Sequence, residues 1–331
     1  MITKRAFLSA TLAIGIGCLA LPASADTRDF TLQLGWLPNA ASAGEIIALQ
    51  NGYFAEAGLN VTILPGGPSA NTIQELMSGT ADVAIGYAPQ IMYAVDKGLP
   101  LASFGAAFQK APLTFYSLAG KNITSVAAWK GMRVGAGQSA APQIAVLLDN
   151  ADLTPEDITH VQANVPALMQ DQVDIVAAWP TNVAQIGPIL SHEGGHNTQT
   201  IWDNGLQFQS NYYVATTDTL ADDAKTLEAF LGAVDRGWAW VADNRDEALA
   251  ILLDYAPALQ ADREAPALGI IIDDYIYTDE TATNGFGHVS AARWQDTLDR
   301  YAKLGEISAD ITAADVHTGA ILDAVERRMK D

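Results

Sequence analysis

A thirteen-residue phrase written twice constrains this chain more than any other feature. Residues 77–89 read MSGTADVAIGYAP, and residues 169–181, ninety-two positions later, read MQDQVDIVAAWPT. Each copy has a polar turn, an Asp (Asp82, Asp174), a short apolar run, then an aromatic (Tyr87, Trp179) closely followed by a Pro. A short apolar run between turn residues is the pattern of a strand buried on both faces of a parallel sheet, which puts the aromatic at the strand's carboxyl end. Ligands of open α/β sheets bind just outside those ends. Two such units therefore predict two lobes, each offering an aromatic to whatever lies between them, and a flat or apolar small molecule suits such a clamp.

Strand and helix patterns alternate around both copies. Residues 30–35, 59–64 and 82–87 read as strands, and 43–53 and 71–77 as helices. Beyond residue 116 the alternation resumes, with strands at 132–135, 158–162 and 175–178 and helices at 143–148 and 167–170. Such alternation implies a parallel sheet. Residues 113–118 and 212–216 read as extended segments without a helix partner, candidate crossovers on which two lobes would hinge. From residue 217 the spacing is helical, over 220–242, 246–253, 261–272, 291–304 and 313–329, a tail expected to pack back on the first lobe. The expected organisation is an export signal over 1–25, a first lobe from 26–115 and 216–331, and a second lobe from 116–215.

Lys4 and Arg5 precede an almost unbroken apolar stretch to Leu21, and Ala23-Ser24-Ala25 follows. A charged region, a short apolar region and a small-residue site read as a cleavable secretory signal, cut after Ala25. The alternative is a lipid on Cys18, although Gly15 stands where a branched apolar residue would be expected. Cys18 is the only cysteine, so cleavage would leave 306 of the 331 residues with no disulfide, thiolate metal site or cysteine nucleophile. Two of the 18 Lys and Arg lie in the signal; the remainder carries 16 against 38 acids, a formal charge of −22. That charge repels phosphate backbones and anionic membrane surfaces, so no nucleic-acid partner is expected. The length favours two lobes over one core.

Several motifs suggest chemistry. Residues 192–196, HEGGH, match the H-E-x-x-H zinc pattern, but that mechanism needs both His on one helical face, and Gly194 and Gly195 each weaken a helix by about 1 kcal/mol relative to Ala. A loop is expected there. Residues 134–140, VGAGQSA, resemble a dinucleotide fingerprint without its following acid; small residues before a helix also let a ligand approach backbone amides, with Gln138 and Ser139 at the turn. The matching loop in the first lobe holds Trp36, Pro38, Asn39 and Ser42, with capping residues and an indole beside Tyr87 at the same sheet edge. Gly66, Gly67, Pro68 and Ser69 form a third loop on that rim. The acidic pairs Asp273-Asp274 and Asp279-Glu280 read as solvated surface, since adjacent side chains point apart.

Residues 35–39 (GWLPN), 50–61 (QNGYFAEAGLNV) and 79–83 (GTADV) resemble the periplasmic solute-binding proteins of ABC importers. Within them the chain is similar to the branch related to the thiamine pyrimidine synthase and to binders of thiamine pyrimidine precursors, a likeness that extends to residues 281–294. The resemblance implies an α/β, two-lobed periplasmic binding protein fold of type II, with a cleft between lobes joined by two crossover segments. It also implies an ABC permease as partner, a periplasmic location and a small planar nitrogen heterocycle such as a pyrimidine as ligand; a binder of a sulfonate, nitrate, flavin or other small solute, or an enzyme of the pyrimidine synthase type, is the alternative. The synthase branch carries a cysteine cluster and a His where Ser42 stands, and Gly35 replaces an Asp or Asn common in the pyrimidine branch. A binder is therefore expected, a monomer with no cofactor, metal site or catalytic residue. The expected ligand contacts are Trp36, Asn39, Ser42, Gly67, Tyr87, Gln138, Ser139, Trp179, Thr181, Asn182 and Tyr213, with Tyr212 and Tyr213 on the cleft floor.

Overall fold

The structure, a computed structural model, describes residues 27–67 and 70–325. The export signal, Cys18, the loop residues Pro68 and Ser69, and the end of the last expected helix lie outside the described residues.

Among the described residues the strands are β1 (Arg28–Gln33), β2 (Leu59–Leu64), β3 (Val83–Gly86), β4 (Leu101–Phe108), β5 (Thr114–Leu118), β6 (Arg133–Gly135), β7 (Thr159–Val161), β8 (Ile175–Ala178), β9 (His196–Thr200) and β10 (Ser210–Thr216). They form two five-stranded sheets, ordered β2-β1-β3-β10-β4 and β7-β6-β8-β5-β9. The two orders are the same permutation. In each sheet one strand runs against the rest: β10 is antiparallel to β3 and β4, and β5 is antiparallel to β8 and β9. Each reversed strand is the one laid down directly after the chain has crossed from the other sheet.

This places the crossings differently from the sequence expectation. Residues 113–118 and 212–216 lack a helix partner because they are reversed central strands, not because they link lobes. The chain passes between sheets over 109–113 and 201–209, where the Ala111 N–H donates to the Phe208 carbonyl at 2.9 Å and ties the two passages together. Sheet membership thus assigns Thr114 and Phe115 to the second lobe and 210–215 to the first, a shift from the expected boundaries at 115/116 and 215/216.

The repeated Asp is explained by the same topology. Asp82 Oδ2 accepts from the Thr31 N–H of β1 at 2.7 Å, and Asp82 N–H donates to the Thr31 carbonyl. Asp174 does the same to β6, accepting from the Arg133 N–H at 2.9 Å and donating to its carbonyl. In both lobes the carboxylate extends the ladder by one bond at the strand's entry, where a neighbouring N–H would otherwise lack a partner.

Helices cover both sheets. In the first lobe the helix Ala43–Gln50 packs on the long helix Ala224–Asp243, and a Cβ on Gly237 would lie 2.1 Å from the Gly44 carbonyl oxygen. Only glycine permits that approach. Phe230 on the long helix stacks on Phe30 and Phe54, with ring centroids 5.1 and 5.6 Å away. The helical tail begins on this lobe as expected but does not stay there. The helix Ala291–Lys303 also reaches the second lobe, with Arg300 donating to Asn150 at 2.7 Å and Lys303 paired with Asp149 at 2.5 Å, and it meets the second passage through Arg293 over the Trp202 ring at 5.0 Å. The helix expected over 313–329 is interrupted after Val316, where His317 forms a bridge to Ser103 of β4.

Candidate functional site

The carboxyl ends of β3 and β8 meet where the lobes approach each other. At the end of β3, Tyr87 leads into a helix (Ala88–Asp96), and at the end of β8, Trp179 leads into the turn before the helix Val183–Leu190. The two rings meet edge to face, centroids 5.6 Å apart at 81°. The aromatics of the repeated phrase are therefore contact partners across the lobes. Both are half-buried, and a Cβ on Gly35 would lie 2.9 Å from the Tyr87 hydroxyl, so a residue without a side chain at the end of β1 gives that hydroxyl its place. Burial pushes the Tyr87 hydroxyl up to about 12, so it stays protonated and able to donate at neutral pH.

Around this pair each lobe starts a helix with an Asn. Asn39 Oδ1 accepts from the Ala41 N–H at 2.8 Å, and Asn182 Oδ1 accepts from the Gln185 N–H at 3.1 Å. Both are N-caps whose side-chain oxygen satisfies a first-turn amide. Ser42 is buried and its hydroxyl donates to the Asn39 carbonyl at 3.2 Å, so it closes the cap. Thr181 is half-buried in the turn that the Asn182 N–H to Trp179 carbonyl bond closes at 2.9 Å. Gln138 and Ser139 are exposed at the end of β6, where the helix Ala141–Asn150 begins, and Trp36 is 47% exposed on the opposite rim. Gly67 takes φ +148 in the loop after β2. Beside it Gly66 is closely packed, for a Cβ there would lie 2.4 Å from the Leu34 carbonyl oxygen.

Tyr213 and Tyr212 do not line the cleft. Both have no exposed surface, because β10 lies between β3 and β4 and helices cover both of its faces. Tyr213 faces the helix Ala43–Gln50 and donates its hydroxyl to Glu45 Oε1 at 2.5 Å; Tyr212 packs on Trp294, centroids 5.0 Å apart. Burial pushes the Glu45 carboxyl up to about 7, against the lowering effect of the Tyr213 hydrogen bond.

Sequence reading passed over four polar residues near the site. Asn211, at the entry of β10, has φ +51, a conformation Asn tolerates better than most residues, and points its amide at the Ala41 carbonyl, 3.5 Å away. Gln109 and Gln209, one on each passage between the lobes, are fully enclosed. Glu264, on the helix Ala261–Ile270, accepts from the Ala40 N–H at 2.9 Å. The HEGGH stretch is a turn entering β9, with the Gly194 N–H donating to His192 Nδ1, so its two His share no helical face. Among the described residues no group of three His, Cys, Asp or Glu could hold a metal, and no helix is long and apolar enough to cross a membrane. A shallow groove of about 340 Å³ between the helices Val165–Met169 and Val183–Leu190 is lined by second-lobe residues alone.

Two sheets of one strand order, joined by two passages of the chain, define a periplasmic binding protein fold. The chain belongs to the NMT1/THI5-like family, whose model matches residues 39–248. It is 28% identical over 282 residues to the formylaminopyrimidine-binding protein of Halalkalibacterium halodurans, an alignment covering 81% of this chain and 82% of that one. It is also 23% identical over 252 residues to a 4-amino-5-hydroxymethyl-2-methylpyrimidine phosphate synthase of Candida albicans, covering 71% and 74% of the two chains. Among solved structures it superposes on the periplasmic aliphatic sulphonate binding protein SsuA of Escherichia coli with a TM-score of 0.67 at 16% identity, covering 87% and 91%. The fold expected from sequence is the fold observed.

Proposed function

We propose that this chain is the solute-binding component of an ABC importer and that it holds a small planar nitrogen heterocycle, of the thiamine-pyrimidine-precursor class, between its lobes. The observation that carries this reading is the Tyr87–Trp179 contact: one aromatic from each lobe, at equivalent strand ends, with the rings close enough to close on a flat molecule. A ring inserted there would stack on Trp179 and meet Tyr87, with hydrogen bonds from Asn39, Gln138, Ser139, Thr181 and Asn182 at the rims. Trp36 and Gly67 would border the first-lobe side, with Ser42 acting through the cap. The likeness to the formylaminopyrimidine-binding protein supports the ligand class. Export after Ala25, a periplasmic location, a monomeric state and a permease partner belong to the same proposal, as does the absence of catalysis. The likeness to the synthase gives an enzyme as the second reading; against it stand Ser42 and a sequence with no cysteine beyond residue 25.

A thermal-shift screen of pyrimidines, flavins and sulfonates tests the proposal, since a ligand at 100 times its dissociation constant adds about 2.7 kcal/mol to stability. The 4-aminopyrimidines should give the largest shift. A flavin or a sulfonate in that position would contradict the ligand class.

A further inference from the structure

The helical run that starts the first lobe's site, residues 40–50, has a first turn with no amide to spare. The Ala40 N–H goes to Glu264 Oε2 at 2.9 Å, the Ala41 N–H to Asn39 Oδ1 at 2.8 Å, the Ser42 N–H to the Asn39 carbonyl at 3.0 Å, and the Ala43 N–H to the Ala40 carbonyl. A helix N-terminus at the carboxyl edge of a parallel strand is otherwise a ready receptor for an anion. The leading donor is here taken by a carboxylate brought from 224 residues away in sequence. Glu264 is half-buried, and its helix, Ala261–Ile270, also packs on the second lobe's helix Val183–Leu190, so the charge lies where the lobes approach each other. The second lobe is built differently. Gln138 and Ser139 are exposed at the matching helix start, and among the described residues no acceptor meets their amides.

We propose that Glu264 is a specificity-determining residue: by occupying the Ala40 amide and placing a negative charge at the first lobe's rim, it makes the site reject solutes with an anionic head group and admit neutral or cationic ones. The inference rests on the cleft being the solute site, as proposed above, and it sharpens the ligand class. An anion entering between the lobes would find its first-lobe donors engaged and a like charge at the same rim, which disfavours the charged form of any ligand there. A neutral heterocycle would take its hydrogen bonds from the second lobe and the Asn side chains, and an amino group on it would face an acceptor.

The test measures ethanesulfonate binding by calorimetry and thermal shift to the wild-type chain, Glu264→Ala and Glu264→Gln, with 4-amino-5-hydroxymethyl-2-methylpyrimidine run on the wild type beside them. Ethanesulfonate should leave the wild type unshifted at millimolar concentration. Glu264→Ala, which frees the amide and removes the charge, should tighten ethanesulfonate binding by roughly tenfold or more, the scale of one charge-assisted hydrogen bond. Glu264→Gln, which keeps an acceptor of the same shape, should gain less, and its unliganded melting transition verifies the fold. Wild-type binding of ethanesulfonate as tight as that of Glu264→Ala, or no gain in either variant, would overturn the role given to Glu264. A missing pyrimidine shift on the wild type would count against the heterocycle reading alone, because the sulfonate comparison between variants is read independently of it.

Discussion

The two lobes share a strand order and differ in what they bury. Both clamp a neighbouring strand with the repeated Asp, yet Asp82 is partly exposed, with Arg28 at 4.0 Å, whereas Asp174 is buried and hydrogen-bonded by the Arg133 amide, the Arg133 guanidinium and Lys121. The Arg133 guanidinium holds the Asp174 carboxyl well below the usual carboxylate range. Beneath their leading helices the contrast reverses. The first lobe buries the Glu45 carboxyl against Tyr213, while the second packs Ile144 and Leu147 over an aromatic pair, Phe115 and Trp129, 4.8 Å apart. One topology thus tolerates a polar or an apolar core beneath the same helix and a loose or a tight ion pair at the same strand. What stays alike is what the backbone needs at the repeated strand: the Asp that completes the ladder and the aromatic at the strand end.

The largest effect is expected at Glu45. Its folded pKa, about 7, lies above the unfolded value of 4.5, so the native state binds the proton more tightly and Glu45 lowers stability as pH rises from 4.5 to 7. Glu45→Gln keeps an acceptor for Tyr213 and removes that titration. The variant should exceed the wild type in unfolding free energy by on the order of 3 kcal/mol at pH 8, with the gap closing toward pH 4.5. Denaturant unfolding of the pair across this range measures it. The difference between the two proteins is the quantity to read, because His317, pushed down to about 4 by burial, adds a slope of the opposite sign below its unfolded value of 6.5. A gap independent of pH would mean that Glu45 is not the buried acid described.

Next comes the repeated Asp. Asp174→Ala leaves the Arg133 amide and two cations without their acceptor and should lower stability by about 2 to 3 kcal/mol, whereas Asp82→Ala, in a wetter setting, should lower it by about 1 kcal/mol. Equal losses would erase the contrast between the lobes. The remaining effect is on binding: Trp179→Ala and Tyr87→Ala should each weaken pyrimidine affinity roughly tenfold with melting temperatures little changed. Unfolding of either variant would make these residues core rather than cleft.

Much of this was legible in the sequence because it is local. The repeated strand, its polar entry and terminal aromatic, the small-residue turn before Gln138 and the capping Asn39 each declare themselves within a few residues, since periodicity and turn chemistry act at that range. What was not legible depends on pairings made across the chain. Tyr213 alternates like a cleft-lining strand residue, and only the insertion of β10 between β3 and β4 buries it. The reversed strands mimicked linkers for the same reason, which displaced the crossings to 109–113 and 201–209. Glu264 has no local signature: its helix would look the same if it lay anywhere on the surface. The break at His317 likewise comes from a partner, Ser103, more than two hundred residues earlier.

The central claim is that each lobe supplies half a site and that the solute draws the halves together, its preference for the joined form setting the population. Small-angle X-ray scattering of the exported chain, with and without saturating 4-amino-5-hydroxymethyl-2-methylpyrimidine, tests it most directly. A fall in the radius of gyration on saturation is the predicted result, with the bend in the passages 109–113 and 201–209. An unchanged radius at calorimetrically proven saturation would contradict it and place the solute in a rigid pocket of one lobe.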